Sequence, residues 1–211
     1  MRNRDLLATC LGILCTLISL YQLAVLGLAS FYTLFSIGMS LALSGMYNAF
    51  SNNRLFSGWS PAQVFAFWLL MLVVSILIDS IGMHVGYWHY PHYGKSDQVR
   101  KYIFEWGVAL FYHFVALVAG IELFRKKGMD YRLSLALSLF VIVTAVGFLT
   151  ESLNLHVRSW QVLSMPITNI RIGDYFVIFQ TIGYWLMALI PYALYKAMEK
   201  RMETAGRNQH L

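Results

Sequence analysis

Six apolar runs, each about 20 residues long, follow one another along the chain at roughly 6–26, 29–50, 62–85, 102–124, 133–155 and 173–195. A run of that length crosses the hydrocarbon core of a bilayer as a helix, and only helices or closed barrels satisfy their backbone polar groups there. The pattern predicts an all-α, polytopic membrane protein, a single domain over 1–211 with six transmembrane helices. Composition points the same way: 58% of the 211 residues are hydrophobic and 12% are charged, where a soluble domain carries about 25% charged residues. Such a chain cannot cover an apolar core with a polar surface, so the lipid bilayer is its first partner. The first two runs are separated only near Gly27 to Ser30. The opening M-R-N-R-D ahead of an apolar run also fits a signal peptide. No small-residue cleavage site stands out, and a retained first helix is expected. Cys10 and Cys15 share that helix, five residues apart and wrongly directed for a bridge; small apolar fillers are the reading.

The net charge of +6 is not a nucleic-acid signature, because the basic residues lie in loops and the tail without interleaved aromatics. They read instead as topology signals. With six spans, eleven fall on one side: Arg2, Arg4, Arg54, the R-K-K run at 125–127, Arg132, Lys196, Lys200, Arg201 and Arg207. Five fall on the other: Lys95, Arg100, Lys101, Arg158 and Arg171. The positive-inside rule then puts both termini in the cytoplasm, with the inner or plasma membrane as the expected location. No stretch resembles a linker, and the basic tail from Lys196 reads as a solvated end.

The chain repeats itself. D-S-I-G-M-H-V-G-Y-W (79–88) returns as E-S-L-N-L-H-V-R-S-W (151–160), with Ser, His, Val and Trp identical and the leading carboxylate retained as Asp or Glu. Each copy ends an odd-numbered run and enters a loop with a proline, Pro91 or Pro166. Helices 3–4 and 5–6 therefore read as a duplicated two-helix hairpin, a parallel repeat.

Of the ten acidic residues, four fall near span ends at one membrane edge: Asp79, Glu105, Glu151 and Asp174. A carboxylate below the headgroups costs about 2.5–3.5 kcal/mol on insertion scales, so such groups normally face a cavity, a partner charge or a metal. The expectation is one shared polar pocket, with these four as candidate catalytic groups. His84 and His156 stand five residues after their carboxylates, the wrong face of a continuing helix. The helices are therefore expected to end near Gly82 and Asn154 so that each His folds back. Trp88 and Trp160 follow, as pocket walls or interfacial anchors. Tyr112 shares a helical face with Glu105, His113 is beside it, and Asn154, Asn169, Arg158 and Arg171 add polar groups. The candidate substrate-binding set is His84, Trp88, Tyr112, His113, Asn154, His156, Trp160 and Arg171.

A carboxylic acid in an apolar pocket can donate a proton at neutral pH, while a better-solvated one stays ionised. With aromatic faces alongside, that is a setting for carbocation chemistry on a greasy polyene. No cofactor is predicted and no metal ligand is assigned. Four carboxylates could hold Mg²⁺ if the substrate were a diphosphate.

D-S-I-G-M-H-V-G-Y-W-H-Y, followed by I-F-E-W-G-V-A-L-F-Y at 103–112, resembles the small integral-membrane lycopene cyclase domain and the related carotenoid hydratase membrane proteins. Those families show an acidic residue late in a helix, then G-x-W-x-[FY], then an acidic start to the next helix. Gly86, Trp88 and Tyr90 fit, with Asp79 before and Glu105 after; the second copy has Glu151, Asn154, Trp160 and Pro166. The likeness covers about 79–185. One Glu stands at 105 where the cyclase domain has P-x-E-E, and Arg158 stands where the first copy has Gly86. The resemblance implies cofactor-light acid–base chemistry on an isoprenoid. The expected function is a membrane enzyme that cyclises, hydrates or isomerises a polyisoprenoid or carotenoid-like lipid, its partner a lipophilic small molecule, with an oligomer left open. A small-solute or proton-coupled transporter and a non-catalytic assembly subunit are the alternatives.

Overall fold

The computed structural model describes residues 3–51, 54–92, 107–164 and 170–208. Among these residues there are six helices: α1 (Asn3–Ala24), α2 (Phe31–Phe50), α3 (Pro61–His84), α4 (Gly107–Lys126), α5 (Tyr131–Val157) and α6 (Val177–Asn208). Four of them, α1, α3, α4 and α5, are long and apolar enough to cross a membrane. The helix α2 is long enough too but has a larger share of hydroxyl, amide and aromatic side chains, and α6, longer still, has Pro191 in its interior.

Local chemistry sets the helix starts. Ser60 and Gln63 form a reciprocal capping box around Pro61, with Gln63 N donating to Ser60 Oγ (3.3 Å) and Ser60 N to Gln63 Oε1 (2.7 Å). Asp130 caps α5 by accepting from the amides of Arg132 and Leu133 at 2.8 and 3.0 Å. Within α5, residues Ser138–Val143 form π-type turns, where the Thr144 amide reaches back five residues to Leu139 O.

The central helix is α4, buried on nearly every side from Gly107 to Leu117. The helices α2, α3, α5 and α6 pack around it, and α1 lies outside, seated almost wholly on α2. That seat is very close: a side-chain carbon on Gly12 would fall 2.2 Å from Ala42 N, so small residues set the spacing. Outward-facing Leu7, Leu17, Phe65, Leu77 and Phe140 are all more than half exposed, as side chains solvated by lipid would be.

Two short ribbons complete the edge where α3 and α5 end. Strand β1 (Trp88–His89) pairs antiparallel with β2 (Gln161–Val162), matching Trp88 to Val162. Strand β3 (Arg171–Ile172) pairs with β4 (Tyr175–Phe176) through a Gly173–Asp174 turn, with Gly173 at φ +60°. This hairpin corrects the expectation of a sixth helix from 173: α6 starts at Val177, and Asp174 sits in the turn ahead of it.

Candidate functional site

The twin motifs make the same hydrogen bond. Asp79 is wholly buried on α3, and its Oδ1 accepts from Trp88 Nε1 at 2.9 Å and from the Tyr90 hydroxyl at 2.5 Å. Glu151 is buried on α5, and its Oε2 accepts from Trp160 Nε1 at 3.1 Å and from the Tyr184 hydroxyl at 2.7 Å. Each carboxylate thus takes the indole N–H nine residues downstream and one phenol. Both chains double back through a left-handed residue at the equivalent position, Gly86 at φ +74° and Arg158 at φ +51°.

The indoles are held differently. Trp88 lies flat on Gly82, where a side-chain carbon would fall 2.0 Å from its ring. The matching position in the second copy is Asn154. Its amide N donates to Trp160 O (2.9 Å) and Glu151 Oε1 (3.2 Å), and its Oδ1 accepts from Trp160 N (3.1 Å). One side chain therefore fixes both the strand and the carboxyl.

These groups surround a cleft of about 490 Å³. Tyr32, Tyr87, Trp88, Tyr90, Trp160 and Tyr184 supply its aromatic wall, and Tyr32 meets Trp160 edge-on at 4.7 Å. Ile78 and Ile81 of α3 face Ile182, Leu186 and Ile190 of α6 on the apolar side. Ile81, Ile182 and Leu186 are 62%, 44% and 50% exposed, so the cleft opens sideways between α3 and α6. The β1–β2 ribbon covers the adjoining edge, extended by Leu163 N donating to Tyr87 O at 2.7 Å. Glu151 reaches the wall, whereas Asp79 lies behind Trp88 and Tyr90. Among the described residues, the neutral N–H and O–H groups of Asn154, Trp160 and Tyr184 donate to Glu151. The Gln180 amide, whose Oε1 accepts from Phe176 N at 2.5 Å, also borders the cleft.

The other candidate residues are elsewhere. Helix α3 continues to His84 and α5 to Val157. His84 and His156 therefore stay on the outer face and are exposed; His156 Nδ1 contacts Ser152 O at 3.3 Å. Neither helix stops early to fold its His inward, since Gly82 and Asn154 are accommodated within helical turns. Asp174 is exposed, 3.8 Å from Arg158, and Arg171 lies over the Phe176 ring at 4.0 Å; neither lines the cleft. Burial pushes the nearby Tyr175 phenol above its ordinary range. Tyr112 and His113 are fully buried beside the cleft. The Tyr112 hydroxyl is 3.1 Å from that of Tyr32 and 3.0 Å from Thr150 Oγ1. His113 contacts Ala109 O through Nδ1 at 2.8 Å and stacks on Tyr184 at 5.1 Å. Glu105, Asn169 and Pro166 lie outside the described residues. Among the described residues, no three His, Cys, Asp or Glu side chains are grouped to hold a metal ion.

Tyr184, Tyr32 and Gln180 belong to the site without having been singled out by sequence. A signal for Tyr184 exists: the tripeptide G-Y-W of 86–88 recurs at 183–185. Its ring packs on Gly147, one turn before Glu151, where a side-chain carbon would come within 2.4 Å. Comparison with protein-family models, curated proteins and solved structures yields no match.

Proposed function

We propose that this protein is an integral-membrane enzyme that performs acid–base chemistry on a polyisoprenoid-like lipid taken sideways from the bilayer. In this reading all six helices span, helices α3–α4 and α5–α6 derive from one duplicated hairpin, and both termini face the cytoplasm. One observation carries the functional reading: among the described residues, Glu151 is the one Asp or Glu in the wall of a cleft that is otherwise apolar and aromatic apart from the Gln180 amide. A carboxyl there can protonate a double bond of an apolar chain, leaving a cation that the aromatic faces stabilise. The resulting carboxylate then removes a proton from an adjacent carbon. The net change is isomerisation, or cyclisation where a second double bond captures the cation before the proton leaves. Water capturing it gives hydration. Asp79 positions Trp88 and Tyr90 rather than meeting the substrate. Mg²⁺ enters this scheme only for a diphosphate substrate, and a chelator would then stop the reaction.

Lipid and pigment profiling of cells with and without the gene tests the reading. A changed isoprenoid species is expected, and Glu151→Gln should lower its formation by about 10²-fold or more. An unchanged profile would end the enzymatic reading. If Asp79→Asn then abolished flux of a small solute, the transporter would take its place. If all the acids proved replaceable and one stoichiometric partner co-purified, the assembly subunit would. Topology has its own check: single cysteines placed at Arg54 and at Arg158 should label from opposite faces of the membrane, Arg54 from the cytoplasm. Labelling from one face would refute the six-span arrangement.

A further inference from the structure

We propose that the cleft holds a monocation carried on the end of an apolar chain, with no phosphate attached. This specifies the ligand class of the site just described and rests on that reading only for the cleft being the working site. Six aromatic side chains and one carboxyl enclose the inner end: Tyr32, Tyr87, Trp88, Tyr90, Trp160 and Tyr184 around Glu151. Aromatic faces attract cations through the ring quadrupole, more strongly when water is excluded. The carboxyl is organised as an acceptor, since Trp160, Tyr184 and Asn154 all donate to it. Its neighbours orient its negative end without supplying a positive charge. Among the described residues no Lys, Arg or His lines the cleft, so a phosphate drawn inside would be buried with no counter-charge from them. The outer end is hydrocarbon, built from Ile78, Ile81, Ile182, Leu186 and Ile190. A volume of about 490 Å³ amounts to roughly sixteen water-sized units of about 30 Å³. A long lipid exceeds it, and the excess chain leaves through the gap beside Ile81 and Leu186.

The test compares a long-chain alkyl trimethylammonium with its neutral isostere, in which carbon replaces nitrogen. Each is titrated against the purified full chain in neutral maltoside micelles and followed by tryptophan fluorescence, with partition into protein-free micelles subtracted. The cation should bind about tenfold or more tightly than the isostere. Glu151→Gln should shrink that ratio to about threefold or less while binding of the isostere survives. An alkyl phosphocholine should bind no better than the isostere. Equal binding of cation and isostere by the unsubstituted chain overturns the proposal, and this comparison needs no variant to fold. A phosphocholine as tight as the plain cation overturns it as well. The two readings separate cleanly. Cation preference without any Glu151-dependent lipid change would end the enzymatic reading and leave the binding site, whereas the converse would end this one.

Discussion

Trp88 can reach Asp79 only because the residue beneath its ring has no side chain. Gly82→Ala would place a carbon 2.0 Å from the indole, and the aromatic ring cannot yield without giving up the 2.9 Å bond to Asp79. The expected cost is about 1–3 kcal/mol, the usual range for overpacking, with a changed tryptophan emission as the ring leaves its buried acceptor. Thermal unfolding in detergent and a fluorescence spectrum check both. Gly183→Ala is the control: its added carbon meets nothing within 4 Å, and it should leave stability within about 1 kcal/mol. At this scale the sequence was partly readable. The carboxylate–Trp repeat was visible, but it was read as pocket wall or interfacial anchor, and the indole-to-carboxylate bonds in both copies come from the structure. The five-residue carboxylate–His spacing marked nothing inside, because the helices run on and carry His84 and His156 to the outer face. Tyr184 and Tyr32 escaped notice because their partners are 33 and 80 residues distant, to Glu151 and Tyr112 respectively, and no local spacing encodes such a contact.

Among the elements, α5 departs furthest from what periodicity suggests. Its π turns at Ser138–Val143 absorb one extra residue, so counting at 3.6 residues per turn misplaces the second half of the helix relative to the first by about 100°. Deleting Val141, which is exposed within those turns, should restore an ordinary helix and keep Glu151 in the cleft. Deleting exposed Ala145 beyond them should swing Glu151 about 100° towards lipid. Lipid profiling of the two deletions is expected to show activity retained in the first and lost in the second. Equal outcomes would show that the wide turns do not set where Glu151 faces. The helix bounds themselves were legible to within a few residues wherever an apolar run met a capping box or a basic loop, as at Ser60 and at Arg125–Lys126. The start of α6 was not, because Ile172-Gly173-Asp174-Tyr175 is apolar enough to extend the run yet closes a hairpin.

For the whole molecule, hydropathy marked helices long and apolar enough to cross a membrane but not which helix is central. The apolar windows of α1 and α4 have the same mean hydropathy, 1.9, yet 17% of one and 67% of the other is buried. In a bilayer the inside is no greasier than the outside, so burial follows shape and small-residue packing instead. The arrangement has a kinetic corollary. The ribbon of Trp88–His89 with Gln161–Val162 borders one edge of the cleft, and exposed Ile81 and Leu186 flank an apolar opening between α3 and α6. Under the proposed function, the protein senses the two-dimensional crowding of its ligand among lipids, not millimoles per litre of buffer. In proteoliposomes, adding inert phospholipid at constant bulk substrate should slow turnover in proportion to the falling mole fraction, while raising vesicle and substrate concentrations together should leave the rate per protein unchanged.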